Sequence, residues 1–513
     1  MSFFESLLAL LATAILLLQV SRRLAIPYPT MLAAAGVALA LIPGVPRITF
    51  DPKIALALFI APALVDAAYD FPVRAVWRLW RPLFALAVVA VLLSAGAVAW
   101  LGVALAGLPL YAALALGAIV APPDAAAATA VLSSVRMPRR TITVLKGESL
   151  LNDAAALLLF GAAISIQTHG GIDTGLAVRL GLAAPGGIVA GILLARVLRY
   201  ITPFVAGTLG GNLMEFVTCF GIWVIADHVG LSPVLTLVAF AMTIARTAGL
   251  TTPPRMRIHS FAVWETVVFL LNVLAFLLMG LQARTIVGGM APDRLHQAAW
   301  FALEVILCLI VVRMSWVLIY NRLAHRFRAL RGDFKPASLR QGVLIGWSGM
   351  RGLVTLATAF ALPAAFPQRD LIVLTAFAVV LTTLIVQGLT LAPLVRLLKL
   401  DGEDGLDEEL ATARADMLSA ALATLDGKTG PAADYWRWGF GVARDAVTPP
   451  IHCAPLHEKR KLGLAAMRRQ RKRLEELRTQ ERVGADSFLI LQEELDFLEV
   501  AISSEADRQI EES

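Results

Sequence analysis

Asp124 and Asp153 are acidic residues set in stretches that are otherwise apolar. Asp124 follows Ala121-Pro122-Pro123, and Asp153 closes the run Lys146-Gly147-Glu148-Ser149-Leu150-Leu151-Asn152-Asp153. With a helix starting near Thr143, Asp153 lies ten residues in, about 15 Å deep at roughly 1.5 Å per residue. That is the midplane of a hydrocarbon core roughly 30 Å thick. A charged side chain there costs about 2.5 kcal/mol or more, so each one requires a role. A carboxylate, a hydroxyl, freed backbone carbonyls and water form the kind of oxygen shell that replaces an alkali cation's hydration water. The same carboxylate can instead hold a proton, and a desolvated carboxylate beside a second one is expected to take up one or the other near neutral pH. The predicted chemistry is competition between a monovalent cation and a proton for one intramembrane site.

Helical spacing sorts the neighbouring groups. Ser149 and Asp153 are four apart and share a face, as do Glu148 and Asn152, whereas Glu148 and Asp153 are five apart and diverge. Asp153 and Ser149 are therefore predicted to face a cavity and Asp124. Glu148 is predicted to form a structural ion pair with Arg351, an arginine that sits at depth and cannot shed its proton. Asp66 lies in an earlier span, somewhat nearer the arginine-rich side. Glu215, Glu265 and Glu304 are isolated in apolar stretches and are expected to make structural hydrogen bonds, and Arg313 has no assigned partner. His169, His228, His259 and His296 fall at loops or span ends. Cys219, Cys308 and Cys453 have no pairable spacing. No phosphate-binding loop, metal-ligand cluster or catalytic triad is visible. An enzyme, an ATP-driven pump, a cofactor and a nucleic-acid partner are thus not expected.

These residues need a membrane scaffold, and the composition supplies one. The 513-residue chain is 58% hydrophobic and only 16% charged, which points to an all-α polytopic membrane protein. Thirteen candidate spans lie between Phe3 and Leu398, centred near residues 12, 35, 62, 94, 121, 155, 188, 214, 239, 271, 309, 351 and 383. Alternate connections hold 20 basic residues against 6 in the others. Positive charge stays cytoplasmic, so the N-terminus is expected outside and the C-terminal tail inside. The first apolar stretch has Glu5 at its start and Arg22 and Arg23 after it. This reverses the charge order of a cleavable signal peptide, so the stretch is kept as a span.

Two spans are interrupted near their middles, one at Ala121-Pro122-Pro123-Asp124 and one at Gly346-Trp347-Ser348-Gly349-Met350-Arg351-Gly352. Breaks at bilayer depth are tolerated only where the freed backbone is buried in protein or lines a polar cavity. The breaks are seven spans apart, so the two helices run in opposite directions. That matches two six-helix inverted repeats with broken helices crossing at the site.

The transmembrane domain is expected over residues 1–400, a linker and irregular segment over 401–457, and a cytoplasmic helical hairpin over 458–513. In the hairpin, a basic helix precedes an acidic one in which Phe488, Leu491, Leu495, Leu498 and Ile502 form a coiled-coil-like stripe.

Gly147-Glu148-Ser149-Leu150-Leu151-Asn152-Asp153 resembles the signature of the electroneutral branch of the monovalent cation/proton antiporters, the sodium/proton exchanger family. Ala121-Pro122-Pro123-Asp124-Ala125, Gly349-Met350-Arg351-Gly352-Leu353 and Trp264-Glu265-Thr266-Val267-Val268-Phe269-Leu270-Leu271-Asn272 support the resemblance, which covers roughly residues 1–400. It implies sodium or lithium exchange for protons by an elevator-like movement, with a homodimer as the unit. It implies that Asp153 and Asp124 bind the cation with Ser149 assisting, and that Asp66 lies near the cytoplasmic access path. Asn152 stands where electrogenic relatives carry a second Asp, which points to one proton per sodium. Pro123-Asp124-Ala125 replaces the family's common Thr-Asp-Pro and removes a side-chain oxygen, so potassium/proton exchange is the alternative. A cation channel or a sensor is the reading from a different class. The expected location is the plasma membrane, a bacterial inner membrane, with lipid as the surrounding partner.

Overall fold

The computed structural model describes residues 3–24, 26–40, 52–124, 139–169, 171, 174–205, 208–251, 253–282, 287–288, 292–331, 337–363, 365–399, 405–447 and 454–503. Arg47, Arg136, Arg284 and Lys335 of the basic-residue count lie outside them. Among the described residues every regular element is helical. The chain forms two compact units, Met1–Glu403 and Asp404–Glu512.

The first unit opens with α1 (Phe3–Leu24), α2 (Tyr28–Ala40), α3 (Pro52–Tyr69), α4 (Val73–Phe84), α5 (Ala90–Ala106) and α6 (Leu110–Val120). It continues with α7 (Arg139–His169), α8 (Thr174–Val205), α9 (Leu209–Val229), α10 (Pro233–Thr251), α11 (Pro254–Leu281) and α12 (Pro292–Arg326). A short turn α13 (Arg328–Arg331) leads to α14 (Leu339–Trp347), α15 (Leu353–Phe360) and α16 (Arg369–Leu398). Six described helices are long and apolar enough to cross a membrane, and four shorter apolar helices accompany them. The protein is a multi-pass membrane protein.

Two sets of helices share this unit. In one, α5, α6 and α7 pack together and α12 packs on α5, α14 and α16. In the other, α2 packs on α1 and α11, α10 packs on α3, α8 and α9, and α3 also meets α11. The α2–α11 approach is close because Gly36 and Gly280 face each other; a Cβ at Gly36 would stand 2.5 Å from Leu277 O. Such small-residue crossings let backbones meet where lipid offers no hydrophobic drive for association.

Local sequence fixes the helix ends. Gly107 takes a left-handed φ of 61° after α5, and Leu108 N–H returns to Gly102 O at 3.0 Å, a C-terminal cap that only glycine adopts without strain. Ser338 and Gln341 form a reciprocal capping box at the start of α14. α4 joins α5 through a π turn, Ala85–Val89. There Ala85 O accepts Trp316 Nε1–H at 2.8 Å, so a neighbouring side chain braces the irregular turn.

The second unit differs from expectation. The stretch read as linker and irregular segment forms α17 (Gly405–Ala423) and α18 (Pro431–Asp445), which pack together. Alanine, leucine and glutamate favour helix, and their density in Leu406–Ala423 outweighs the acidic run at its start. Asp401–Asp404 lies outside the described residues. α19 (Ala454–Thr479) and α20 (Ala485–Ile502) run antiparallel around Leu474, Phe488 and Leu495. Arg471 bonds both Asp496 and Glu499, at 2.7 and 2.6 Å.

Candidate functional site

α6 stops at Val120 because Pro122 and Pro123 have no N–H to continue the ladder. α14 stops at Trp347, and the chain stays non-helical until Leu353 begins α15. The breaks are laced together. Asp124 N–H donates to Met350 O at 2.6 Å, and Leu353 N–H donates to Asp124 Oδ2 at 3.3 Å. A carboxylate at the first N–H groups of α15 meets the positive end of that helix dipole. Arg351, fully buried, donates through Nε to Val120 O at 3.2 Å and through Nη1 to Gly349 O. Its guanidinium thus satisfies carbonyls at the C-terminal ends of both interrupted helices, where the dipole is negative. Its own N–H donates to Thr383 Oγ1 of α16 at 3.1 Å.

Gly352 completes the crossing. The space a Cβ would occupy there is taken by the Asp124 carboxylate. Only a residue without a side chain lets the two breaks approach this closely.

α7 supplies the third wall. Asn152 is fully buried and its Nδ2 donates to Pro123 O at 2.7 Å. That bond ties the residue just before Asp153 to the residue just before Asp124. Asp153 is buried at 7% exposure, while Asp124 and Ser149 are half-buried. Asn152 Oδ1 and Thr355 Oγ1 are buried oxygens with no hydrogen-bond partner among the described residues. Two carboxylates, a hydroxyl one turn away, the Pro123 carbonyl and the Asn152 amide therefore share one crossing. This oxygen-rich set suits a hard cation or a proton. Among the described residues no cluster of three His, Cys, Asp or Glu suits a resident metal ion.

The predicted pair of Glu148 with Arg351 is corrected. Glu148 instead binds Arg313 of α12, with contacts of 2.6 Å from Nη1 and 3.1 Å from Nη2. Nη2 also reaches Ile345 O at 3.2 Å. Both side chains are buried, at 3% and 2% exposure. Arg351 is drawn away because broken helices leave carbonyls that need a donor, and a guanidinium serves several at once. Arg313 is legible in the sequence as an unassigned charge in an apolar run, and nothing in the spacing chooses between it and Arg351 as the partner of Glu148.

Asp66 lies elsewhere. It lines a cavity of about 160 Å³ walled by α3 and α8–α11, together with Tyr69, Glu215, Arg257 and Trp264; Asp124 and Asp153 are not among its lining residues. Glu215 makes the structural hydrogen bonds expected of it: Ser260 Oγ and Trp264 Nε1 donate to its Oε2 at 2.6 and 2.7 Å. Glu265 and Glu304 are exposed on their helices.

The family model described as "Sodium/hydrogen exchanger, transmembrane" matches residues 7–397. An uncharacterized Na(+)/H(+) exchanger of Mycobacterium tuberculosis is 30% identical over 432 residues, covering 82% of this chain and 79% of its own. A sodium, potassium, lithium and rubidium/H(+) antiporter of Bacillus pumilus is 29% identical, covering 93% of this chain and 75% of its own. The sodium proton antiporter of Methanocaldococcus jannaschii has the same fold, with a TM-score of 0.59 at 18% identity over 79% of this chain and 100% of that one. Helix ends laced together around Asp124, beside a buried Asp153, in a unit that is helical throughout its described residues, are in keeping with that match. The chain belongs to the sodium/hydrogen exchanger family, whose members are transporters and not enzymes.

Proposed function

We propose that this protein exchanges sodium, or lithium, for protons one for one at Asp153 and Asp124. The observation that supports the reading is the Asn152 hydrogen bond to the Pro123 carbonyl, which joins the residues immediately before the two acids. A buried carboxylate with a second, half-buried one near it resists being charged and empty together with it. A proton or a cation relieves that repulsion, and each displaces the other. Ser149 and the Pro123 carbonyl add oxygens, and Asn152 holds the frame without adding a second charge there. Glu148 and Arg313 neutralise each other beside the site, and Arg351 fixes the break. Asp66 draws cations on the cytoplasmic side.

The same reading takes the chain as thirteen spans in two inverted six-helix repeats. The N-terminus lies outside and the tail in the cytoplasm of a bacterial plasma membrane. The set containing α5, α6, α7, α12 and α14–α16 moves against the other set within a homodimer. Potassium is the second reading, favoured by Pro123 in place of a hydroxyl side chain and by the breadth in the name of the Bacillus pumilus relative.

Proton movement in proteoliposomes on adding sodium, lithium or potassium tests this, with and without a clamped membrane potential. Sodium-driven flux that ignores the potential and vanishes in Asp153→Asn is the expected result. Flux that survives the substitution removes Asp153 from the mechanism. A response to potassium alone moves the substrate to the second reading, and flux without counter-movement makes the protein a channel.

A further inference from the structure

α4 is amphipathic in three stripes. Leu79 and Leu83 are buried against the protein. Roughly opposite them, at about 100° per residue, Arg74, Arg78 and Arg81 form a line spaced by four and three. Between the two runs an aromatic line, Trp77, Trp80 and Phe84, exposed at 77%, 53% and 52%. Arg81 lies over the Trp80 ring at 5.5 Å, a cation–π contact that holds the guanidinium at the rim of the aromatic line.

Length places this helix relative to a bilayer. The helical run Val73–Ala106 has 34 residues, about 51 Å at 1.5 Å per residue, well beyond a hydrocarbon core of roughly 30 Å. The portion after the π turn, with the turn itself, is enough to cross, so α4 extends into the headgroup layer. Tryptophan prefers that layer, and its ring plane suits the border between acyl chains and phosphates.

The charge there is one-sided. Asp70 is the one acidic residue between Ala67 and Pro123, and Arg74 and Arg81 make no ion pair with any described residue. α13, with Arg328 exposed on it, packs against α4, so a second basic element borders the patch. Guanidinium groups bind phosphate oxygens in pairs of parallel hydrogen bonds.

We propose that α4 is a binding site for an anionic phospholipid, with Arg74, Arg78 and Arg81 on the headgroup phosphate and Trp77, Trp80 and Phe84 along its acyl chains. The site is coupled to the ion-binding helix. A Cβ at Gly147 of α7 would stand 2.7 Å from Leu83 and 2.8 Å from Phe71, so α4 rests directly on the turn that carries Glu148. A lipid held on α4 therefore steadies the helix that positions Asp153.

The test is lipid retention, which does not depend on transport. Native mass spectrometry is run on protein taken from bilayers of equal phosphatidylglycerol and phosphatidylcholine. The wild type is expected to retain phosphatidylglycerol in preference. The variant Arg74→Gln, Arg78→Gln, Arg81→Gln loses that preference, about fivefold per arginine. The Arg→Lys triple variant keeps charge and retains much of it, which separates charge from misfolding. Inorganic phosphate, compared with chloride at matched ionic strength, is expected to leave the retained lipid in place. Equal retention of the two lipids by the wild type overturns the proposal, as does displacement by phosphate. Unchanged retention in the Gln variant accompanied by loss of dimers would assign the face to a second copy of the chain and overturn it as well.

Discussion

The Arg313 guanidinium clasps the Glu148 carboxylate through two nitrogens, at 2.6 and 3.1 Å, with both side chains almost wholly buried. Removing one partner strands the other's charge in a low-dielectric interior, at a cost of about 3–5 kcal/mol. Glu148→Gln and Arg313→Met are each expected to lower stability by that order. The double variant should recover most of it, since two neutral groups of similar volume leave no orphaned charge. Thermal unfolding in one detergent for all four proteins completes the cycle, and strict additivity would show that the pair does not act as a unit.

Asn152 joins α7 to the first break through Pro123 O. Asn152→Ala leaves that carbonyl without its donor and frees Asp124 to drift from Asp153. The apparent cation affinity should fall about tenfold, equivalent to about 1.4 kcal/mol, with a smaller effect on folding. A cation titration of the exchange rate reads it, and an unchanged affinity would relegate Asn152 to packing.

Glu215 holds Ser260 and Trp264 of α11 from its place on α9. Glu215→Ala removes the acceptor and strands both donors, for a loss of about 1–3 kcal/mol per group left unsatisfied. Glu215→Gln keeps an acceptor and should fall between. Unfolding midpoints of the three proteins give the order, and wild-type stability in the alanine variant would contradict it.

On α19, the hydrogen bond from Arg473, at 2.9 Å, holds the Glu476 carboxyl below its ordinary range. A carboxyl lowered in the folded state contributes stability above its unfolded value, and that contribution disappears as pH falls through the lower folded value. Amide protection over residues 454–503 of the intact protein, with the pH dependence of the chemical exchange rate divided out, should fall slightly from neutral to acid pH, and less so in Glu476→Gln. Equal acid sensitivity in both would place the effect on other groups.

The breaks and the carboxylates were legible in the sequence because each violates its surroundings: Pro122-Pro123 and Gly349-Met350-Arg351-Gly352 cannot continue a helix, and Asp153 cannot sit in lipid unpaired. The partner of Glu148 was not. Arg313 and Arg351 both fall in apolar spans, and only tilt, azimuth and the carbonyls at the breaks decide between them. Asp66 shows the same limit: its depth could be counted along a span, but not the cavity that α3 and α8–α11 enclose around it. The stretch expected as linker and irregular segment holds α17 and α18 because its helix-forming alanine, leucine and glutamate outweigh the acidic, proline- and glycine-containing positions that suggest a linker.

The Asp124 carboxylate fills the place where a side chain at position 352 would begin. Position 352 therefore has an alphabet of one letter as long as residue 124 keeps its acid. Gly96, Gly161 and Gly221, whose Cβ positions meet nothing within 4 Å, are free to drift to alanine. Along a lineage the glycines of this protein would thus diverge at very different speeds; Gly36, Gly280 and Gly352 are among the slow ones, and position 352 marks where backbone and a carboxylate share the volume of a single residue.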